Sequence, residues 1–492
     1  MMSPVPVTST DSRAAFARTQ VLLVAGGLVV LLLAYAGRYG YHRDELYFVL
    51  LGGHPAFGYV DQPALIPLLD HAVDVLSGHS LFWLRVPPAL CVGAAAVLVG
   101  LTARELGARR GGQVLAAAAW AISAVVLASG HLAGTTAFDL LGWTALTWLV
   151  VRALDEGGRW WLWAGLTAGV ALEVKLLVAF FLFALTVGLL AVGPRDALRD
   201  RFLWVGAALA VVLWLPDLLW QAANGWPQLD LSRSIASGGS GTSSSRWVFV
   251  PFQVVQLSPV LVPVWAVGWW RLLRRDELRR WRCFAVAFVV LLVVFIATGG
   301  KPYHLTGAYA ALFAAGAQPV VDWCRRGWLV GALVVGGAIS ALLFVPILPV
   351  SAIAGTPITA INYDAGETVG WPGFVATVRA AWEALPSRSH AAILANNYGE
   401  AGAVARFAPD LPVYSGHNSL RALGGPPDDT TTVLALGFDA TQLRALFGTV
   451  TKVATAPTPY GIDNDEAGEP IYVASDPLRP WPQTWRRLER YG

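Results

Sequence analysis

Long apolar runs separated by short polar breaks fill the first 350 residues. Spanning a bilayer as a helix takes roughly 20 apolar residues, somewhat fewer where anchors flank the run. Runs at 21–37, 86–103, 113–130, 137–152, 160–174, 176–193, 202–221, 248–271, 283–298, 305–321 and 328–350 meet that description, about eleven in all. Only Lys175 separates the fifth from the sixth. From about Ser351 the pattern changes. Asp, Asn, Gly, Pro and Thr rise, and short alternating runs take over. Phe374–Leu385 and Gly402–Phe407 are predicted as helices, and Ala391–Ala395, Val413–Tyr414, Thr431–Leu436, Val450–Ala454 and Ile471–Ala474 as strands. The expected organisation is a tail over 1–20, a membrane domain over 21–350 with a first outer loop at 38–85, and an α/β domain over 351–492. Gly225–Arg246, centred on SGGSGTSSS, is predicted as a flexible loop.

Composition agrees: 55% of the 492 residues are hydrophobic and 14% charged. That describes a polytopic membrane protein rather than a large soluble enzyme. The net charge of +3 is no nucleic-acid signature, because the arginines fall in short bursts between apolar runs. Arg104, Arg109, Arg110, Arg152, Arg159, Arg195, Arg199, Arg201, the six arginines of 271–282, Arg325 and Arg326 all fall on one side if the N-terminus is cytoplasmic. An odd number of spans then puts the C-terminal domain outside the cell. Arg38, Arg43 and Arg85 break the rule, all beside the first loop. Cys91, Cys283 and Cys324 form no disulfide or zinc pattern.

Candidate chemistry begins in that loop, Gly40–Leu69, with His42, Asp44, Glu45, His54 and Asp61 at a membrane boundary. Ionisable groups there usually line a pathway or a site. A solvated helix cap would also explain Asp44 and Glu45. Asp139 opens a later span, where a carboxylate is costly unless it faces water, a cation or a partner; capping is its bland alternative. The chain holds only Lys175, Lys301 and Lys452 among 35 basic residues. Lys175 and Lys301 both sit on the predicted outer side, where an ammonium suits a phosphate oxygen, although a snorkelling anchor would sit there too. Tyr303 and His304 accompany Lys301. His42, Glu45, Asp61 and Asp139 could assemble a divalent-cation site, without diagnostic metal spacing. Asp217 and Gln221, four apart on one helical face, could add a polar lining.

The stretch RDELYFVLLGGHPAFGYVDQPALIPLL, followed by LRVPPALCVGAAAVLVGLTARELGAR, resembles the opening of glycosyltransferase family 39. That family includes protein O-mannosyltransferases and lipid A aminoarabinose transferases, with the GT-C fold. Asp44 and Glu45 match its acidic pair in the first outer loop. YVDQPAL keeps Asp61 and Pro63 of its aromatic-Asp-x-Pro-Pro segment, but has Ala64 for the second proline. Asp139, Lys175 and GKPYHL match later positions, and Arg109 and Arg110 the cytoplasmic turn. The likeness covers roughly residues 38–321, and it lies in the order of these motifs.

The resemblance implies transfer of one sugar from a polyprenyl-phosphate donor to an envelope glycan, lipid or protein on the outer face. In that reading Asp44, Glu45 and Asp139 are catalytic, Lys175, Lys301 and Tyr303 bind the donor phosphate, and His42, Asp61 and His304 position substrate. A divalent cation held by Glu45 and Asp139 is conceivable. With a phosphate acceptor no base is needed, and Asp44 would position substrate or bind a cation. A flippase of lipid-linked sugars, or a non-catalytic partner with the same fold, would share many spans and charged groups at depth. Against the flippase stand the clustering of acidic groups at one face and the large following domain.

Overall fold

The computed structural model describes residues 14–238 and 245–492. Most of the tail and the GSGTSS portion of the predicted flexible loop, 239–244, therefore lie outside the described residues. The rest of that loop is not structureless: Pro227–Ser237 is a helix, started by a proline at its first position.

Each of the eleven predicted runs falls on helix, but not each is long enough to cross a membrane. Among the described residues four helices are: Leu81–Glu105, Thr135–Glu156, Arg201–Ala223 and Arg326–Phe344. The count rises to six if two bent pairs are single spans. Arg110–Ala121 with Ala124–His131 bends by 58°, and Phe249–Leu257 with Pro259–Arg274 by 92°. The others, such as Arg159–Leu172 and Leu177–Val192, are short, because polar breaks interrupt the apolar pattern. Two of the long helices show what membrane lipid would meet. Trp204, Val211, Val212 and Leu219 stand more than half exposed on one, and Val334, Val335 and Ile339 on another. Elsewhere the helices close tightly through small residues. A Cβ on Gly268 would lie 1.8 Å from the Leu312 carbonyl oxygen, so the two helices touch backbone to backbone.

The C-terminal domain carries a five-stranded sheet of order β2-β1-β3-β5-β4. The strands are β1 (Ala391–Ala395), β2 (Val413–Tyr414), β3 (Thr432–Leu436), β4 (Phe447–Thr455) and β5 (Pro470–Pro477). β2, β1 and β3 run parallel, while β5 is antiparallel to β3 and to β4. The helix Tyr398–Phe407 connects β1 to β2. It opens with a full capping box, in which Asn397 accepts from the Glu400 N–H and Glu400 accepts from the Asn397 N–H. The strands and helices predicted from sequence here end within four residues of those found, and β1 and β2 coincide with their predicted bounds.

This domain does not stand apart from the first loop. The loop's helix, Arg43–Gly52, shares one hydrophobic core with it, with Leu46, Tyr47 and Phe48 packed among Trp371, Phe374, Val404 and Leu434. At Gly402 the approach is close enough that a Cβ would sit 2.9 Å from that of Leu46. Polar contacts run along the seam. Arg406 donates to the Tyr41 hydroxyl (2.6 Å) and to Asp74 (3.2 Å). Arg43 pairs with Glu367 and Asp465.

Candidate active site

A buried ion pair fixes the loop. Arg85 and Glu45 are both wholly buried and meet through two parallel bonds, of 2.8 and 2.9 Å. Arg85 also donates to the carbonyls of Ala36, Arg38 and Gly40. The oxygens of Glu45 further accept the N–H groups of His42 (2.7 Å) and Ala133 (2.8 Å). One pair thus ties the end of the first helix, the start of the loop and the entry to Thr135–Glu156 together. Desolvating two charges is tolerable only with such complete hydrogen bonding.

Asp44, the next residue back, turns the other way. It faces a cavity of about 810 Å³ between the loop, the Lys301 segment and the C-terminal domain. The hydroxyl of Tyr398 donates to it at 2.8 Å. Tyr398 is held in turn by ring contacts with Tyr47 (4.6 Å) and His417 (5.0 Å). Asp61 also lines this cavity and accepts from Tyr47 (2.9 Å) and Ser419 (3.2 Å). Burial raises the Asp61 carboxyl to about 6 against those two donors. His42 lies at its edge, 3.6 Å from Asp364.

A second chamber of about 200 Å³ adjoins the first and shares Asp44, Lys301, Tyr303 and Asp364 with it. Apolar Val125 and Leu132 line it together with Lys175. Lys175 lies in the break between Arg159–Leu172 and Leu177–Val192. Its ammonium reaches Thr136 (3.4 Å) and lies 5.5 Å from the centre of the Tyr303 ring. The ammonium of Lys301 lies 5.9 Å from the same ring. Two cations are therefore grouped around one aromatic ring. Buried glutamines hold the segment in place: Gln253 and Gln256 donate to the Pro302 carbonyl at 3.0 and 3.3 Å.

Residues 61–220 match the model of the dolichyl-phosphate-mannose-protein mannosyltransferase family. The fold matches ArnT from Cupriavidus metallidurans in the apo state, with a TM-score of 0.65, 13% identity, and 94% of this chain and 98% of that one covered. The same protein bound to undecaprenyl phosphate matches with a TM-score of 0.58 and 14% identity, over 93% of this chain and 98% of that one. The chain has the GT-C glycosyltransferase fold. Arabinofuranosyltransferase AftD from Mycobacteria shares the GT-C fold with a TM-score of 0.52 and 15% identity, over 95% of this chain and 42% of that one. No curated protein matches in sequence. Four helices, or six if each bent pair is one span, are long and apolar enough to cross a membrane among the described residues, as a membrane location requires.

Within this GT-C chain the residues singled out from sequence separate. Asp44, Asp61, His42, Lys301, Tyr303 and His304 line the larger cavity, and Lys175 the smaller. Glu45 lines neither. Its oxygens are taken by Arg85 and two N–H groups, so its geometry is that of a positioning residue rather than a catalytic one. Asp139 is buried beneath the chambers, where it accepts from Trp143 (3.0 Å) and attracts Lys175. The proposed cation ligands are not brought together: among the described residues no three His, Cys, Asp or Glu side chains converge on one point. Asp217 and Gln221 do not line the cavity. Gln221 donates to the Tyr59 carbonyl (2.9 Å) and braces the loop instead. Sequence reasoning missed Arg85, Tyr398 and His417. For Arg85 a signal existed, since it breaks the arginine pattern.

Proposed function

We propose that the protein moves one sugar from a polyprenyl-phosphate donor to an acceptor hydroxyl at the outer face of the cytoplasmic membrane. The observation that carries this reading is the shared pair of chambers: both lysines line the smaller one, beside Val125 and Leu132, and Asp44 and Lys301 line both. The undecaprenyl phosphate bound to ArnT is carried over to this chain as the donor's lipid class. The prenyl chain lies in lipid beside Val125 and Leu132, and the phosphate meets Lys175 and Lys301. Asp44 takes the proton of the acceptor hydroxyl. The hydroxyl oxygen then bonds to the anomeric carbon as the bond from that carbon to the phosphate oxygen breaks. The electron pair leaves with the polyprenyl phosphate, whose charge the ammonium groups stabilise. Attack opposite the phosphate inverts the anomeric centre, and no step is routed through a metal.

Two measurements test the reading. Nanodisc-embedded protein is given radiolabelled polyprenyl-phosphate sugars with an envelope extract, and label should pass to an acceptor of that extract. Labelled lipid crossing the bilayer of proteoliposomes without sugar transfer would instead make the protein a flippase. For sidedness, a C-terminal alkaline phosphatase fusion should be active, and an inactive one would put the site on the wrong face.

A further inference from the structure

The parallel part of the sheet has a switch point. The chain leaves β1 on one side for β2 and returns on the other for β3. In open α/β sheets, ligands bind beyond the carboxyl ends of the strands at such a point. Here those ends are Asn396–Asn397 after β1, Ser415–His417 after β2 and Gly437 after β3. Asn396, Asn397, His417 and Gly437 all line the 810 Å³ cavity. The edge is firmly built. Asn396 donates to the Gly437 carbonyl at 2.7 Å, and Arg490 to the Asn396 carbonyl at 2.8 Å. Gly437 has φ +65°, and a Cβ there would strike the Glu400 carboxylate at 2.0 Å, so the position requires glycine.

One polar atom at this edge is left without a partner in the fold. His417 is 5% exposed, and its Nε2 has no hydrogen-bond partner. Its Nδ1 accepts the Tyr398 N–H at 3.3 Å. Burial, with Arg490 and Arg43 nearby, holds the imidazole down to about 3, so it is neutral. The proton therefore sits on Nε2, which is a buried donor without an acceptor. Such groups are rare because leaving them unpaired is costly. The charge of the chamber narrows what could satisfy it. Asp44, Asp61, Asp364, Glu400, Asp465 and Glu469 line it, against Arg43, Lys301 and Arg490. Arg43 is already paired with Glu367 and Asp465, Arg490 is committed to the Asn396 carbonyl, and Lys301 lies towards the second chamber, which it also lines. Carboxyl groups outnumber the cations in this lining, which favours a neutral hydroxyl over a phosphate as the partner of Nε2.

We propose that the C-terminal domain supplies the acceptor half of the active site: the strand ends at Asn396 and His417 bind an uncharged, hydroxyl-bearing saccharide, with His417 Nε2–H donating to one of its oxygens and Tyr398 holding Asp44 towards it. Calling the ligand an acceptor rests on the transfer reading above; its binding does not.

The test uses the full chain in nanodiscs. The probes are uncharged pentasaccharides of glucose, mannose, galactose and arabinose, their phosphorylated counterparts, and undecaprenyl phosphate. At least one uncharged pentasaccharide should bind. His417→Leu should weaken that binding about tenfold, as loss of one hydrogen bond implies. Undecaprenyl phosphate binding should be unchanged, and His417→Gln should recover part of the loss. An uncharged photoreactive pentasaccharide should label residues 396–419 in the wild-type chain, a readout that no folding defect can blur. Binding of phosphorylated sugars alone, equal affinity in His417→Leu, or label confined to the membrane helices would each overturn the proposal. Saccharide bound through His417 by a chain that does not bind undecaprenyl phosphate would uphold the subsite and sink the transfer reading.

Discussion

Lys175 and Lys301 reach the chambers from breaks between membrane helices, and beyond the pull of Asp139 on Lys175 they hold little: Thr136 for one, the ring of Tyr303 for both. Asp44 reaches it from a helix pinned on both sides, and it is held by a hydroxyl from another domain. The first wall keeps its charge available, and the second fixes the direction of its charge. Phosphate binding needs the former, because an ammonium is a compact point charge that satisfies oxygens from many angles. Proton abstraction needs the latter, since a base must lie within hydrogen-bond reach of one particular hydroxyl.

The hardest blow to this contrast is at Arg85. Arg85→Met leaves Glu45 buried and unpaired, at a cost of about 3–5 kcal/mol. The loop that carries Asp44 should unfold or the chain fail to accumulate, which proteolysis of purified membranes would reveal. A stable, active Arg85→Met chain would mean that the pair does not hold the second wall. Next is Asp44→Asn, which keeps the shape and removes the base. Single-turnover transfer should fall by about 10²–10⁴ while donor binding stays. Near-normal transfer would take the base away from Asp44. On the first wall, Lys175→Met and Lys301→Met should each cost about 1.5–3 kcal/mol of donor affinity, one to two decades, with acceptor affinity kept. Unchanged donor binding would reduce both lysines to interfacial anchors.

The smallest effect separates the walls by pH. Burial raises Glu400 to about 7 and Glu466 to about 8, from 4.5. Both bind a proton more tightly folded than unfolded. Their contribution is full below about pH 4.5 and is lost as pH rises through 7 and 8. Hydrogen exchange of β1 and β3 should therefore quicken between pH 5 and 8 more than intrinsic exchange predicts. Glu466→Gln should flatten that rise, and an unaltered slope would put the titration elsewhere.

The sequence revealed these walls unequally. The lysines were legible because they are scarce and stand against the arginine pattern. The strands were legible because alternation and turn residues are local signals. The inward turn of Glu45 was not legible, because its partner lies 40 residues away and no local pattern reports which carboxylate of a pair turns inward. Tyr398 and His417 were invisible, since a contact across 354 residues leaves no trace in spacing. Helix lengths were less legible than helix positions, because breaks such as Glu173–Leu176 divide runs that read as nearly continuous.

The close fit of Gly402 on Leu46 has a consequence for biosynthesis. A ribosome that has made the first loop must add some 350 more residues before the surface that covers it exists. Until then Leu46 and its neighbours have no cover, and Asp44 has no tyrosine. The protein is thus assembled in two acts, insertion first and closure last. A chain released early would be a membrane protein with an open greasy loop, a mark by which quality-control proteases could tell it from the finished one.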